Sequence, residues 1–249
     1  MSAPGDPPLF EARGLTRRFH GLIAVNEVSF AVKRDEILGL IGPNGAGKTT
    51  LISLISGTLA LDEGEIWFDG RRIDRMASYR RAHLGIARTF QVMKPFPGLS
   101  VLDNVTVGAL FGLGGGEHRR ARARELARQM VEFTGLGRRL DQHADALGGP
   151  DRKRLELAKA LAMQPRLLLL DEVMAGLTPV EVDEVIEIIK KIRAKGVTIL
   201  VIEHVIRAIR SLSDRIFVLH HGQKIAEGNP ATVFENPQVI EAYLGKPRQ

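Results

Sequence analysis

The chain has 249 residues, 44% of them hydrophobic, and no cysteine, which excludes disulfides, thiolate catalysis and cysteine metal sites. Its length suits one large domain or a core with a subdomain, and no apolar run reaches the length of a membrane span. The net charge of +6 reads first as solvated surface, with an anionic membrane or nucleic acid as the other readings.

In chain order, residues 1–8 carry three prolines and no basic-then-apolar pattern. They read as a short disordered lead, not a secretory signal, so a cytoplasmic chain is expected. Leu9–Leu15, Val25–Val32, Ile37–Ile41 and Gly64–Phe68 are expected as short strands, with Asp69-Gly70 as a hairpin turn. From about Ser100 to Met163 the pattern turns helical. Ser100 reads as an N-cap with Asp103 in the first turn, Gly112–Gly116 as a flexible loop, and Glu117–Phe133 as a charged amphipathic helix. The cluster Arg119-Arg120-Ala121-Arg122-Ala123-Arg124 has no interleaved aromatics, which speaks against nucleic acid as a partner. Beyond it, Arg166–Leu170 is a buried strand running into Asp171 and Glu172. Thr178-Pro179-Val180-Glu181 is a capping box with proline at the first helical position. Val182, Val185, Ile186, Ile189 and Ile192 then mark an apolar helical stripe that Gly196 ends, and Val197–Ile202 is a further buried strand.

This order indicates an α/β fold with a P-loop NTPase core, a parallel central sheet, an N-terminal antiparallel β subdomain and an inserted helical subdomain. With no internal repeat, residues 9–249 are expected to form one nucleotide-binding domain. Its helical subdomain covers about 92–160 and a C-terminal extension about 229–249.

The most specific signal is Gly42-Pro43-Asn44-Gly45-Ala46-Gly47-Lys48-Thr49. It has the form G-x-x-x-x-G-K-[ST], follows a buried strand and opens onto the helix start Thr50–Ile55. Glycines let the backbone curl until many N–H groups converge on a polyphosphate, and the following helix adds its positive end. Lys48 is placed to reach the β- and γ-phosphates, and Thr49 to ligate Mg²⁺ through its hydroxyl. Asp171, at the carboxyl end of its strand, suits Mg²⁺, directly or through water, and Glu172 suits a general base for an attacking water. Three further residues carry two readings each. Gln91 reads as a ligand of Mg²⁺ or of the attacking water, or as a surface amide. His204 reads as a γ-phosphate donor or a capping histidine, and Phe19 as an adenine platform or a core aromatic.

Together these residues resemble the ATP-binding subunits of ABC transporters, over nearly the whole chain from Leu9 to Gly245. The resemblance implies that the glycine loop is Walker A, Leu167–Asp171 Walker B and Glu172 the catalytic carboxylate. It implies that Gln91 is the Q-loop glutamine, His204 the switch histidine and Phe19 the adenine-stacking aromatic. ATP and Mg²⁺ are the implied cofactors, with Gly42–Thr50 and Asp171 on the nucleotide and Thr49, Gln91 and Asp171 on the metal. A narrower resemblance is to importers of branched-chain amino acids and related polar solutes. It is carried by Gly85–Gln91, Phe96–Val105, Ala175–Pro179, Ile202–His204, Ser213–Arg215, Gly222–Gly228 and Ala242–Gly245. It implies membrane permease subunits, a second ATP-binding subunit (the same chain or another) and, indirectly, a periplasmic or extracellular solute-binding protein. The chain would sit peripherally on the cytoplasmic face of the cell membrane.

Two stretches depart from the family pattern. Where the signature LSGGQ is usual, this chain has Leu147-Gly148-Gly149-Pro150-Asp151, and Thr178 stands where an aspartate is usual. Gly148 lacks the serine hydroxyl, Pro150 lacks an N–H, and Asp151 adds negative charge, although a helix-capping role is its alternative. Arg152 or Lys153 is the candidate compensation. An asymmetric pair with a second ATPase of intact signature is therefore expected. The competing readings are an ATP-holding subunit with little turnover, a small-molecule P-loop kinase, and a non-transport ABC ATPase on nucleic acid or ribosomes. The last usually carries tandem cassettes or long coiled coils, neither of which is present.

Overall fold

The computed structural model describes residues 7–90 and 95–244. The expected disordered lead and Gln91 fall wholly or mainly outside that range. Strands β1 (Phe10–Phe19), β2 (Leu22–Val32), β4 (Glu63–Phe68) and β5 (Arg71–Arg72) form an antiparallel sheet in the order β2-β1-β4-β5. A second sheet has the order β10-β9-β3-β8-β7-β6, from β3 (Ile37–Ile41), β6 (Ile86–Arg88), β7 (Leu167–Asp171), β8 (Thr198–Ile202), β9 (Arg215–His220) and β10 (Gln223–Gly228). It is parallel except at the β9–β10 edge. The α/β architecture read from the sequence is the one observed.

Both faces of the parallel sheet are covered, which is why its strands are apolar throughout. Side chains alternate across a strand. On β7, Leu167 and Leu169 join the core shared with the antiparallel sheet and helix α1 (Lys48–Ser56). Leu168 and Leu170 face the opposite core, with the buried stripe of α6 (Pro179–Ala194). That helix starts at the expected capping box, with Thr178 and Glu181 bonding each other's backbone N–H. Helices α3 (Val101–Leu110), α4 (Arg120–Phe133) and α5 (Gly149–Ala162) enclose a third core of Val101, Leu102, Val105, Ala127, Val131 and Leu155.

Several elements differ from the sequence reading. β1 and β2 run to Phe19 and from Leu22, because the turn His20-Gly21 joins them directly. Helix α4 begins at Arg120, and Arg124 on it pairs with Asp103. Within Gly112–Gly116, Leu113–Gly115 forms one 3₁₀ turn, anchored by the Leu113 N–H on the Met163 carbonyl at 2.9 Å. Unanticipated elements are α2 (Ser78–His83), the β9–β10 hairpin, and α7 (Ile206–Leu212), α8 (Pro230–Phe234) and α9 (Pro237–Leu244).

Two features hold α1 and its loop in place. The parallel register sets Leu40 beside Ile202 and Ile202 beside Asp171, so three carboxyl strand ends line up. At the far end of α1, the buried Arg81 guanidinium donates to the carbonyls of Leu54 at 2.6 Å and Ile55 at 2.8 Å. It satisfies orphan acceptors and opposes the negative helix end. Burial lowers its pKa to about 10, so it stays charged near neutrality.

Candidate active site

The glycine loop leaves β3 and curls into α1. Gly42 and Gly47 have φ of 155° and 102°, and a Cβ there would stand 2.1 Å from the Leu219 carbonyl oxygen and 2.3 Å from that of Ala24. Only glycine lets the loop lie this close to its neighbours. Gly47 is the N-cap of α1 with no side-chain cap and no acid in the first turn, so the helix N–H groups are left for an anion. Lys48 is buried, and its ammonium donates to the carbonyls of Gly42 at 2.7 Å and Pro43 at 2.9 Å. Burial lowers its pKa, while Glu172 and Asp171 act the other way.

A cavity of about 1000 Å³ opens over the loop. Of the residues singled out from sequence, Phe19, Asn44, Gly45, Ala46, Gly47, Lys48, Thr49, Thr50, Glu172 and His204 line it. Gly42 and Pro43 lie against the lysine head, and Gln91 lies outside the described residues. Phe19 ends β1 partly exposed, with the Arg17 guanidinium 4.8 Å from its ring centre. The sequence reading missed Leu22, Ile23 and Ala24 after the β1–β2 turn, and His221 and Gly222 in the β9–β10 turn. His221-Gly222 between two strands is a short hairpin signal that was available.

Glu172 and His204 meet in the wall of this cavity, with His204 Nε2 2.7 Å from Glu172 Oε1. Glu172 has a φ of 52°, the left-handed region that a non-glycine residue rarely occupies. Its N–H is held by the Ile202 carbonyl at 3.0 Å. A carboxylate fixed by an imidazole can orient a water and take its proton.

Asp171 is buried, and burial raises its pKa while Arg88 opposes the rise. Arg88 Nη2 donates to its Oδ2 at 2.8 Å, and Oδ1 has no hydrogen-bond partner among the described residues. An orphaned carboxylate oxygen close enough to Lys48 to act on its charge fits a divalent cation, and the Thr49 hydroxyl, on the cavity wall, is the hard donor that would complement it. Arg88 had escaped the sequence reading; its signal is a charged residue at the end of an otherwise apolar strand.

The charged residues of and just after the signature stretch are engaged within the chain, while Gly148 and Gly149 have open space around them. Gly148 is the N-cap of α5 without a side-chain cap, and Pro150 sits in the first turn, where its missing N–H costs no helical bond. Asp151 pairs with Arg139 at 3.0 Å. Arg152 donates to the carbonyls of Leu147 and Asp145, both at 2.8 Å, and Lys153 to the carbonyl of Ala175. Neither basic residue replaces the missing donors in this arrangement.

Glu203 follows β8, is 2% exposed, and accepts the Met174 N–H at 2.7 Å. Burial pushes its carboxyl from 4.5 up to about 7, with the Met174 N–H and Lys153 opposing. The folded chain therefore holds a proton that the unfolded chain releases. The stability tied to it is complete below 4.5 and is lost as pH rises through about 7. Glu203→Gln mimics the protonated form. At pH 8 it is expected to raise unfolding free energy by about 2–3 kcal/mol. Thermal melts at pH 8 and pH 4.5 check this, since the gain must vanish at the lower pH.

Comparison with known proteins shows the family. Residues 25–175 match the ABC transporter family, and residues 223–248 match the branched-chain amino acid ATP-binding cassette transporter family. The chain is 36% identical to the high-affinity branched-chain amino acid transport ATP-binding protein BraF of Pseudomonas aeruginosa, over 96% of this chain and 98% of that protein. It is 38% identical to the corresponding LivG of Salmonella typhimurium, with the same coverage. Among solved structures, the ADP conformation of MJ1267, an ATP-binding cassette of an ABC transporter, superposes with a TM-score of 0.86 at 30% identity, covering 97% of this chain and 100% of that one.

Proposed function

This chain belongs to the ABC transporter ATP-binding cassette family, and on that premise we propose that it is one of two ATPase subunits driving an importer of branched-chain amino acids or a related polar solute. One observation carries the catalytic half of this reading: the Glu172–His204 pair, 2.7 Å apart, faces the same cavity as Lys48. The solute class rests on the match of residues 223–248 and on the relatives' names.

In the proposed cycle the loop N–H groups and Lys48 bind the phosphates of ATP. Lys48 gives up its carbonyl partners for phosphate oxygens, which are stronger acceptors. The free face of Phe19 and the exposed Leu22 and Ile23 suit the adenine. Asp171 and Thr49, with Gln91 as the third expected ligand, would hold Mg²⁺, which supplies charge neutralisation at the phosphoryl oxygens. Glu172 takes the proton of the attacking water as the water oxygen bonds to the γ-phosphorus and the bond to the β–γ bridging oxygen breaks. His204, which holds Glu172 through Nε2 before ATP binds, turns that N–H to the γ-phosphate once it is bound. Binding that is tighter in the closed pair than in the open one lets ATP drive closure.

Among the described residues no helix is long and apolar enough to cross a membrane. The relatives' role as ATP-binding components of transport systems supports separate permease subunits that carry the solute path. Exposed Phe90, Phe96, Phe111 and Leu113 offer the apolar surface a permease would cover on the cytoplasmic side. The missing serine hydroxyl at Gly148, with Asp151, Arg152 and Lys153 held by groups of this chain, favours a second, different cassette as partner. Its signature would serve the ATP bound here, while Gly148–Asp151 would serve the other ATP poorly.

The expected outcome is that the purified chain binds ATP but turns it over slowly. Co-purified permease and a second cassette with a serine-bearing signature then raise turnover at least roughly tenfold, the value of about one lost donor at 1.4 kcal/mol. Brisk, cooperative turnover by the isolated chain argues against the asymmetric pair. Failure to bind ATP removes the whole reading.

A further inference from the structure

The loop after β7 carries Glu172 in its left-handed conformation, which persists in folded proteins only where surroundings enforce it. Beyond the Ile202 carbonyl that anchors the Glu172 N–H, two buried or half-buried ionisable side chains hold this loop, one as acceptor and one as donor. Glu203 accepts the Met174 N–H at 2.7 Å. Lys153 donates to the Ala175 carbonyl and lies 3.5 Å from that of Glu172. A short loop of four residues is thus tied at both its donors and its acceptors.

The two anchors stand on different elements. Glu203 continues β8 and adjoins His204 in sequence. Lys153 is on α5, the helix that opens at the signature stretch. That helix belongs to two cores at once: Leu155, Ala158 and Ala162 pack with α3 and α4, whereas Leu157, Ala160 and Leu161 pack on the parallel sheet. A rotation of the helical part therefore moves the Lys153 head relative to Glu203.

We infer that Lys153 and Glu203 are positioning residues that clamp the Glu172–Ala175 loop, so that α5 governs whether Glu172 points at the water. The inference rests on the ATPase reading above and adds a link within one chain between the helical part and the catalytic carboxylate. Burial lowers the Lys153 pKa, and the Glu203 and Glu172 carboxylates act the other way.

The test uses the purified full-length chain, hydrogen exchange read by mass spectrometry, and steady-state kinetics with MgATP. Lys153→Met keeps the stem and removes the charge. It is expected to raise exchange about tenfold across residues 172–178 and to leave β7 and β8 as protected as before. Its kcat is expected to fall about tenfold with ATP affinity within twofold, because the phosphate loop is untouched. Lys153→Arg retains a donor and restores both readouts. Glu203→Ala loosens the same residues, and Glu203→Gln, which keeps the acceptor, does not. Unchanged exchange and turnover in Lys153→Met overturn the inference, as does exchange raised throughout the sheet, which marks general packing. A chain that hydrolyses no ATP defeats the ATPase reading, while the exchange pattern still decides this one.

Discussion

Glu172→Gln is expected to retain ATP binding and to lose turnover by roughly 10³-fold, the usual worth of a general base. The substitution is close to isosteric. The amide oxygen still accepts from His204 if the ring donates through Nε2, so the 2.7 Å contact survives. What disappears is the proton acceptor and a negative charge that acts on Lys48. The loss of that charge favours a bound polyphosphate, so the variant should accumulate in its ATP state and associate with its partner cassette. Equilibrium nucleotide binding, phosphate release and size-exclusion chromatography with ATP give the three readouts. An inert ATP-holding subunit has no turnover to lose and would show no change in phosphate release, which makes this substitution decisive between the two readings.

Lys48→Ala is expected to weaken ATP binding by roughly 10³-fold, about 4 kcal/mol, from the loss of charge-assisted contacts to two phosphates at some 1.5–3 kcal/mol each. The fold should survive. The ammonium donates to two loop carbonyls, and the loop is also tied by the Ala46 N–H on the Pro43 carbonyl at 3.2 Å and by the Gly222 N–H on the Ala46 carbonyl at 2.9 Å. Fluorescent-nucleotide titration beside a melting curve separates affinity from folding. Retained affinity in a folded variant would remove the phosphate role of Lys48 and with it the proposed mechanism.

Local chemistry was legible in the residues. The glycine loop declared itself because only glycine tolerates φ of 102° with a carbonyl 2.3 Å from a would-be Cβ. The capping box of α6 and its buried stripe followed from spacing alone, since both partners lie within one or two turns. Contacts spanning distant segments were not legible. Arg88 meets Asp171 across 83 positions and Glu203 meets Met174 across 29, and no local pattern marks either partner. The signature stretch shows the limit most plainly. Its missing donors were visible in sequence, but the engagement of Arg152 and Lys153 by carbonyls of this same chain was not.

The sequence by itself determined a phosphate-gripping loop, a strand ending in two acids and the class of fold that joins them. These depend on backbone freedom and on periodicity, which neighbouring residues set. Tertiary structure decided which side chains close the cavity, which oxygen of Asp171 stays without a partner, and what grips the loop behind Glu172. Those outcomes follow from the register of β3, β7 and β8 and from the crossings between them, so they exist only once distant segments are packed side by side.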